Sequence, residues 1–189
     1  KPRDLLKKAK ERGITVALDV QMFPVEGIDQ LEFSHLEGVL PYVDIFFCSE
    51  ETAKLTFLKE GDLHSVMKSF TQEYPISIVA STQRVVHSPK VHTFGSVIYN
   101  AKEDKFYEEE PYHNIEVVDR IGSGDAYISG ALYGLLAHDF DCQRALEYGN
   151  ATSAVKNTIP GDLPSCGLNE IDRIIKNHKN TGIQSEMDR

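Results

Sequence analysis

The chain has 189 residues, 41% of them hydrophobic, and 20 Lys and Arg against 29 Asp and Glu give a formal net charge of −9. That length supports one sizeable core, as a whole domain or part of a larger one, and the acidic balance repels a phosphate backbone, which argues against nucleic acid as a partner. No apolar run reaches the length of a membrane span and the first residues lack the apolar stretch of a signal peptide, so no membrane partner is expected, and the few, widely separated cysteines fit a reducing cytoplasm best.

Residues 2–12 read as a helix with Leu5, Leu6 and Ala9 on one face, closed by Gly13 as a left-handed cap. Residues 14–20 and 43–48 are apolar runs of the kind that form parallel strands buried on both faces. Residues 50–58 and 62–74 read as helices and 76–81 as a third buried strand. This alternation predicts an α/β fold: a doubly wound, mostly parallel sheet with flanking helices. The pattern changes at residues 96–100 and 105–109, which flank a polar turn and predict a β-hairpin. A short strand over 116–119 runs into Gly122-Ser123-Gly124 and a helix over 125–138. Two more helices, 142–157 and 169–180, are separated by Thr158-Ile159-Pro160-Gly161-Asp162, and the residues from Thr181 read as a frayed polar end. The chain opens on Lys1 rather than Met and within about a dozen residues has run through a helix toward a strand, so it is expected to be a piece of something longer. Cys48, Cys142 and Cys166 are odd in number and far apart, and the seven histidines show no HxxxH spacing, so neither a disulfide framework nor a His/Cys metal cluster is expected.

The chemistry concentrates at the glycine turn. A strand feeding Gly-Ser-Gly into a helix leaves unpaired backbone N–H groups at the positive end of the helix dipole, which makes an anion hole. Gly122 and Gly124 admit close approach of an anion and Ser123 adds a small donor. Such donors are what phosphoryl transfer requires, and Asp125, in the first helical turn, can take the proton of an attacking hydroxyl. An ordinary loop with an Asp cap fits the same four residues. Context favours the anion hole: Gly122, Ala126, Gly130 and Gly134 recur every four residues as a ridge for close helix packing, as at ligand-binding βα junctions.

The run Val118-Asp119-Arg120-Ile121-Gly122-Ser123-Gly124-Asp125-Ala126 resembles the signature of the ribokinase, or PfkB-type, carbohydrate kinases, most closely the 2-keto-3-deoxygluconate kinases. Residues 82–88, Glu108-Glu109-Glu110, residues 145–151 and Ile159-Pro160-Gly161-Asp162 are similar to that subgroup in the same order, so the resemblance covers nearly the whole chain. It implies ATP-dependent phosphorylation of a primary hydroxyl of a sugar or keto-sugar acid, with ATP, Mg²⁺ and a monovalent cation near Asp119 as cofactors. Asp125 would be the catalytic base, the turn from Gly122 to Asp125 the anion hole, and Asp162 a sugar contact. Gln21, Ser81, Thr82, Arg84 and Asn150 would lie on the nucleotide side, Asn150 beside the adenine with Gly149, Ala151 and Ala154. Helix packing explains those small residues equally well, and Arg84 can also be read as a solvated surface charge. The resemblance further implies that residues 1–189 are the nucleotide-binding, catalytic C-terminal portion, with the sugar-binding and lid portion upstream, and that the complete protein is a homo-oligomer.

Four positions in two motifs depart from the family pattern. Where Asp-x-Asn-x-Arg is usual, Gln21 stands for Asn and Phe23 for Arg, and an aromatic ring cannot replace an arginine fork on a carboxylate. Where Asn-x-x-Glu is usual, Ser49 and Thr52 stand instead, leaving Glu50 and Glu51 as water-mediated partners of Mg²⁺ or as favourable acids at a helix start. These departures motivate an alternative: a catalytically degenerate member acting as a nucleotide- or sugar-binding regulatory protein.

Overall fold

The computed structural model describes residues 2–20 and 36–180. Gln21 and Phe23, and the residues read as a frayed end, lie outside that range. The chain divides into two compact units, Lys1–Thr82 with Val97–Phe106, and Gln83–Ser96 with Tyr107–Arg189. Two strands, β3 (Ile78–Ser88) and β4 (Val91–Asn100), contribute residues to both.

In the first unit, α1 (Pro2–Glu11) ends as expected at Gly13, where a φ of 69° lets the Gly13 and Ile14 N–H groups turn back onto the Lys10 and Ala9 carbonyls. Strands β1 (Ala17–Val20), β2 (Ile45–Cys48) and β3 pair in parallel, with Ala17 opposite Ile45 and Ile45 opposite Ile78. Helices α2 (Glu50–Thr56) and α3 (Leu63–Glu73) make the crossover between β2 and β3. The sheet order is β1-β2-β3-β4-β5, and β5 (Lys105–Tyr107) forms with β4 the hairpin expected around residues 101–104. All four residues of β2 are buried, and Phe46, Phe57 and Phe70 meet edge to face with ring centroids 5.0–5.8 Å apart. Such pairs add roughly 0.5–1.5 kcal/mol each beyond their burial.

Two expectations here are corrected. Strand β1 is shorter than residues 14–20 and alternates exposed with half-buried positions, because it is an edge strand of the described sheet with only β2 beside it. Strand β3 does not end at Ser81 but continues to Ser88 and turns tightly at Pro89 and Lys90 into β4. Residues 83–87 are all exposed, so their sequence carries no buried-strand pattern.

In the second unit, β6 (Tyr112–Glu116) runs antiparallel to β4, with His92 opposite Ile115 and Phe94 opposite Tyr112. The strand expected over 116–119 therefore lies earlier. Val117 donates its N–H to the Lys90 carbonyl, whereas Val118 and Asp119 donate theirs to the Asn157 carbonyl. Three helices follow: α4 (Ser123–Ala137), α5 (Cys142–Asn157) and α6 (Leu168–Asn180). The glycine ridge of α4 does what its spacing implied. A Cβ on Gly130 would come within 2.5 Å of the Tyr148 carbonyl oxygen, and one on Gly134 within 2.6 Å of the Ala145 Cα, so α4 and α5 touch backbone to backbone. On its other side α5 packs Tyr148 and Ala151 against Ile171 and Ile175 of α6. Glu147, buried between them, is paired with Arg144 and Lys179, each at 2.6 Å, which offsets the cost of burying its charge.

Candidate functional site

The site of the second unit is built on the turn from Asp119 to Asp125. The Asp119 carboxylate accepts the N–H of Ile121 at 3.0 Å and of Gly161 at 3.1 Å. These two backbone donors, with the nearby Lys156 charge, hold its carboxyl below the usual range. Gly122 caps α4 with φ 76° and ψ 1°, a left-handed conformation that any side chain would strain. A Cβ there would also lie 2.0 Å from the Asp162 carbonyl oxygen, so the loop after α5 sits directly on the glycine turn. That contact brings Asp162 to the turn, and both Asp125 and Asp162 are exposed.

The first turn of α4 sorts its own donors. Ser123 gives its N–H to the Arg120 carbonyl at 3.1 Å, and Ala126 gives its N–H to Gly122. Among the described residues, the N–H groups of Gly122, Gly124 and Asp125 have no acceptor. Of the four N–H groups expected to face an anion, from Gly122 to Asp125, the Ser123 group is committed within the turn. Ser123 is buried: its hydroxyl accepts from Arg84 at 2.6 Å and its carbonyl accepts from Ser153 at 2.9 Å.

Electrostatically the turn is positive on one side. Arg84 is exposed along part of its length, yet desolvation of its guanidinium, followed by repulsion from Arg120, lowers its pKa. It remains charged in any case. The buried His92 is held below its ordinary range first by burial and then by Arg84 and Arg120, which registers the same field. Arg84 is thus no free surface charge but is anchored at the glycine turn.

Asn150 is wholly buried in α5; it accepts from the Ser96 hydroxyl at 2.7 Å and donates to Glu109 at 2.8 Å. Its side chain is committed to these two partners. In the first unit, Ser81 is buried and Thr82 half-buried at the point where β3 emerges from the core. At α2, Ser49 is a helix cap: its Oγ accepts the Thr52 N–H at 3.0 Å and lies 2.9 Å from Thr52 Oγ1. Glu50 pairs with Lys54 at 2.5 Å and Glu51 is exposed. Among the described residues, no group of three or more His, Cys, Asp or Glu is arranged to hold a metal ion, and no helix is long and apolar enough to cross a membrane.

Sequence reasoning missed the contribution of α5's last turn. Ser153, Lys156 and Asn157 are all buried there and reach the strand and turn leading into α4. The signal was available as three polar residues at i, i+3 and i+4 on an otherwise small and apolar helix face.

The profile of the pfkB family of carbohydrate kinases matches residues 9–165. A 2-dehydro-3-deoxygalactonokinase of Haloferax volcanii is 27% identical over 173 residues, covering 92% of this chain and 51% of that protein. The crystal structure of a 2-dehydro-3-deoxygluconokinase from Thermotoga maritima superposes with a TM-score of 0.83 at 26% identity, over 92% of this chain and 53% of that one. A putative ribokinase II from E. coli, solved in complex with ATP and Mg²⁺, superposes with a TM-score of 0.67 at 23% identity, over 92% and 52%. This chain therefore spans about half the length of these relatives, and its fold is ribokinase-like. With the family profile extending from α1 past the loop that seats Asp162 on Gly122, the chain belongs to the pfkB family of carbohydrate kinases.

Proposed function

We propose that the protein carrying this chain transfers a phosphoryl group from ATP to a primary hydroxyl of a sugar or keto-sugar acid, with 2-keto-3-deoxygluconate as the first candidate acceptor. The observation that carries this reading is the start of α4, where three unsatisfied N–H groups, those of Gly122, Gly124 and Asp125, share one turn with the Arg84 and Arg120 charges and an exposed carboxylate, Asp125. That donor set fits a phosphate: open backbone donors at a helix N-terminus, backed by positive charge.

Bound ATP supplies the γ-phosphoryl group. The Gly124 and Asp125 N–H groups donate to the oxygens that gain charge in transfer, Arg84 adds positive potential, and the Asp125 carboxylate accepts the acceptor hydroxyl's proton. Mg²⁺ fits best as an ion carried on the nucleotide phosphates with its own waters, as its chemistry favours. Of the two acids proposed for a water-mediated contact, Glu50 is paired with Lys54, which favours Glu51. The acceptor class rests on the two deoxyketo-sugar kinases above, and Phe23 in place of Arg weakens the case for a carboxylate on it.

The capping pair Ser49 and Thr52 favours a second reading, a nucleotide-binding member without turnover. Incubating the complete protein with ATP, Mg²⁺ and a panel of hexoses, pentoses and keto-sugar acids separates the two. Sugar-dependent ADP release supports the kinase; ADP binding without release by any sugar supports the second reading.

A further inference from the structure

We propose that Lys156 is a built-in cation that holds the glycine turn in place, a positioning residue for the transfer argued above; its kinetic consequence rests on that reading. Lys156 lies in the last turn of α5 and is wholly buried. Its ammonium donates to two backbone carbonyls, those of Asp119 and Ile159, at 3.0 Å each. These carbonyls belong to different segments. Asp119 leads into the glycine turn, and Ile159 leads into the loop whose Gly161 N–H binds the Asp119 carboxylate and whose Asp162 carbonyl rests on Gly122.

A buried ammonium is costly unless its hydrogen bonds and charge are answered. Carbonyl oxygens beside a carboxylate answer it, and the same oxygens suit a bare monovalent cation, since carbonyls replace a hydration shell. Lys156 thus occupies a cation slot with a tethered charge. Without it, two carbonyl dipoles would face each other and the seat of Gly122 on Asp162 would loosen, moving the Gly124 and Asp125 donors. A misplacement of about 1 Å costs on the order of a hundredfold in rate.

The test uses the complete protein as parent, Lys156→Ala, Lys156→Met and Lys156→Arg. Melting temperature and sugar-dependent ADP release are measured in potassium, methylammonium or tetramethylammonium chloride at one ionic strength. The parent and Lys156→Arg should be indifferent to the cation. Lys156→Ala should melt lower and turn over roughly a hundredfold more slowly, and potassium or methylammonium should restore both saturably while tetramethylammonium, too large for the slot, should not. Lys156→Met fills the slot and should not be restored. A potassium requirement in the parent, parent-like behaviour of Lys156→Ala, a loss that no cation restores, or equal restoration by all three salts would overturn the proposal. If Lys156→Ala does not fold, the parent and Lys156→Arg decide it through their cation dependence. Melting curves need no turnover, so a parent that releases no ADP with any sugar sinks the kinase reading while the cation-specific shift still decides the role of Lys156.

Discussion

The Arg84 guanidinium donates to the Ser123 hydroxyl across 2.6 Å, which fixes a positive charge from β3 at the first turn of α4. Because Ser123 is buried, this bond aims Arg84 rather than merely decorating the surface. Arg84→Ala should weaken ADP binding by roughly ten- to a hundredfold, the range for losing a charged hydrogen-bonding partner. Arg84→Lys should recover only part of it, since a point charge cannot both hold Ser123 and face an anion as a planar fork does. Calorimetric titration with ADP checks both; parent-like affinity in Arg84→Ala would return Arg84 to the status of a surface charge.

The backbone contact between α4 and α5 makes a stability prediction. Gly130→Ala and Gly134→Ala each place a methyl within 2.7 Å of α5 atoms that cannot rotate away. Each should cost about 1–3 kcal/mol. Gly167→Ala is the control, with nothing within 4 Å of its added methyl, and should stay within about 0.5 kcal/mol of the parent. Thermal unfolding of the three variants distinguishes them.

Glu109 gives a pH dependence. Burial raises its pKa above the ordinary carboxylate value, with the Asn150 hydrogen bond only partly opposing it. The folded protein therefore binds the Glu109 proton more tightly than the unfolded chain, so this group's contribution is favourable below the unfolded value and is lost as pH rises through the folded one. Glu109→Gln keeps an acceptor for Asn150 without the charge. It should raise the melting temperature at pH 7 and change it little at pH 4; an equal shift at both values would contradict the assignment.

Much of this fold is legible in the sequence, for reasons visible residue by residue. The bounds of α5 follow from Asp141, whose side chain accepts from Gln143 and Arg144, and from the break at Thr158-Ile159-Pro160. The packing face of α4 follows from glycines four apart. The extension of β3 to Ser88 was not legible, because its residues from Gln83 onward are exposed and held by the β4 hairpin rather than by a buried pattern. At the candidate site, the glycine turn at the start of α4 could be read from the pattern of strand, glycines and helix. The division of labour within it could not, since it depends on the Ser123 N–H turning to Arg120 and on α5 side chains distant in sequence reaching the turn.

The central claim, that the first turn of α4 performs phosphoryl transfer with Asp125 as base, is tested most directly by Asp125→Asn in the complete protein. The substitution keeps the shape of the turn and its N–H groups but removes the proton acceptor. Sugar-dependent ADP release should fall by at least about a hundredfold while ADP binding stays within a few-fold of the parent. Unchanged turnover in Asp125→Asn would contradict the account.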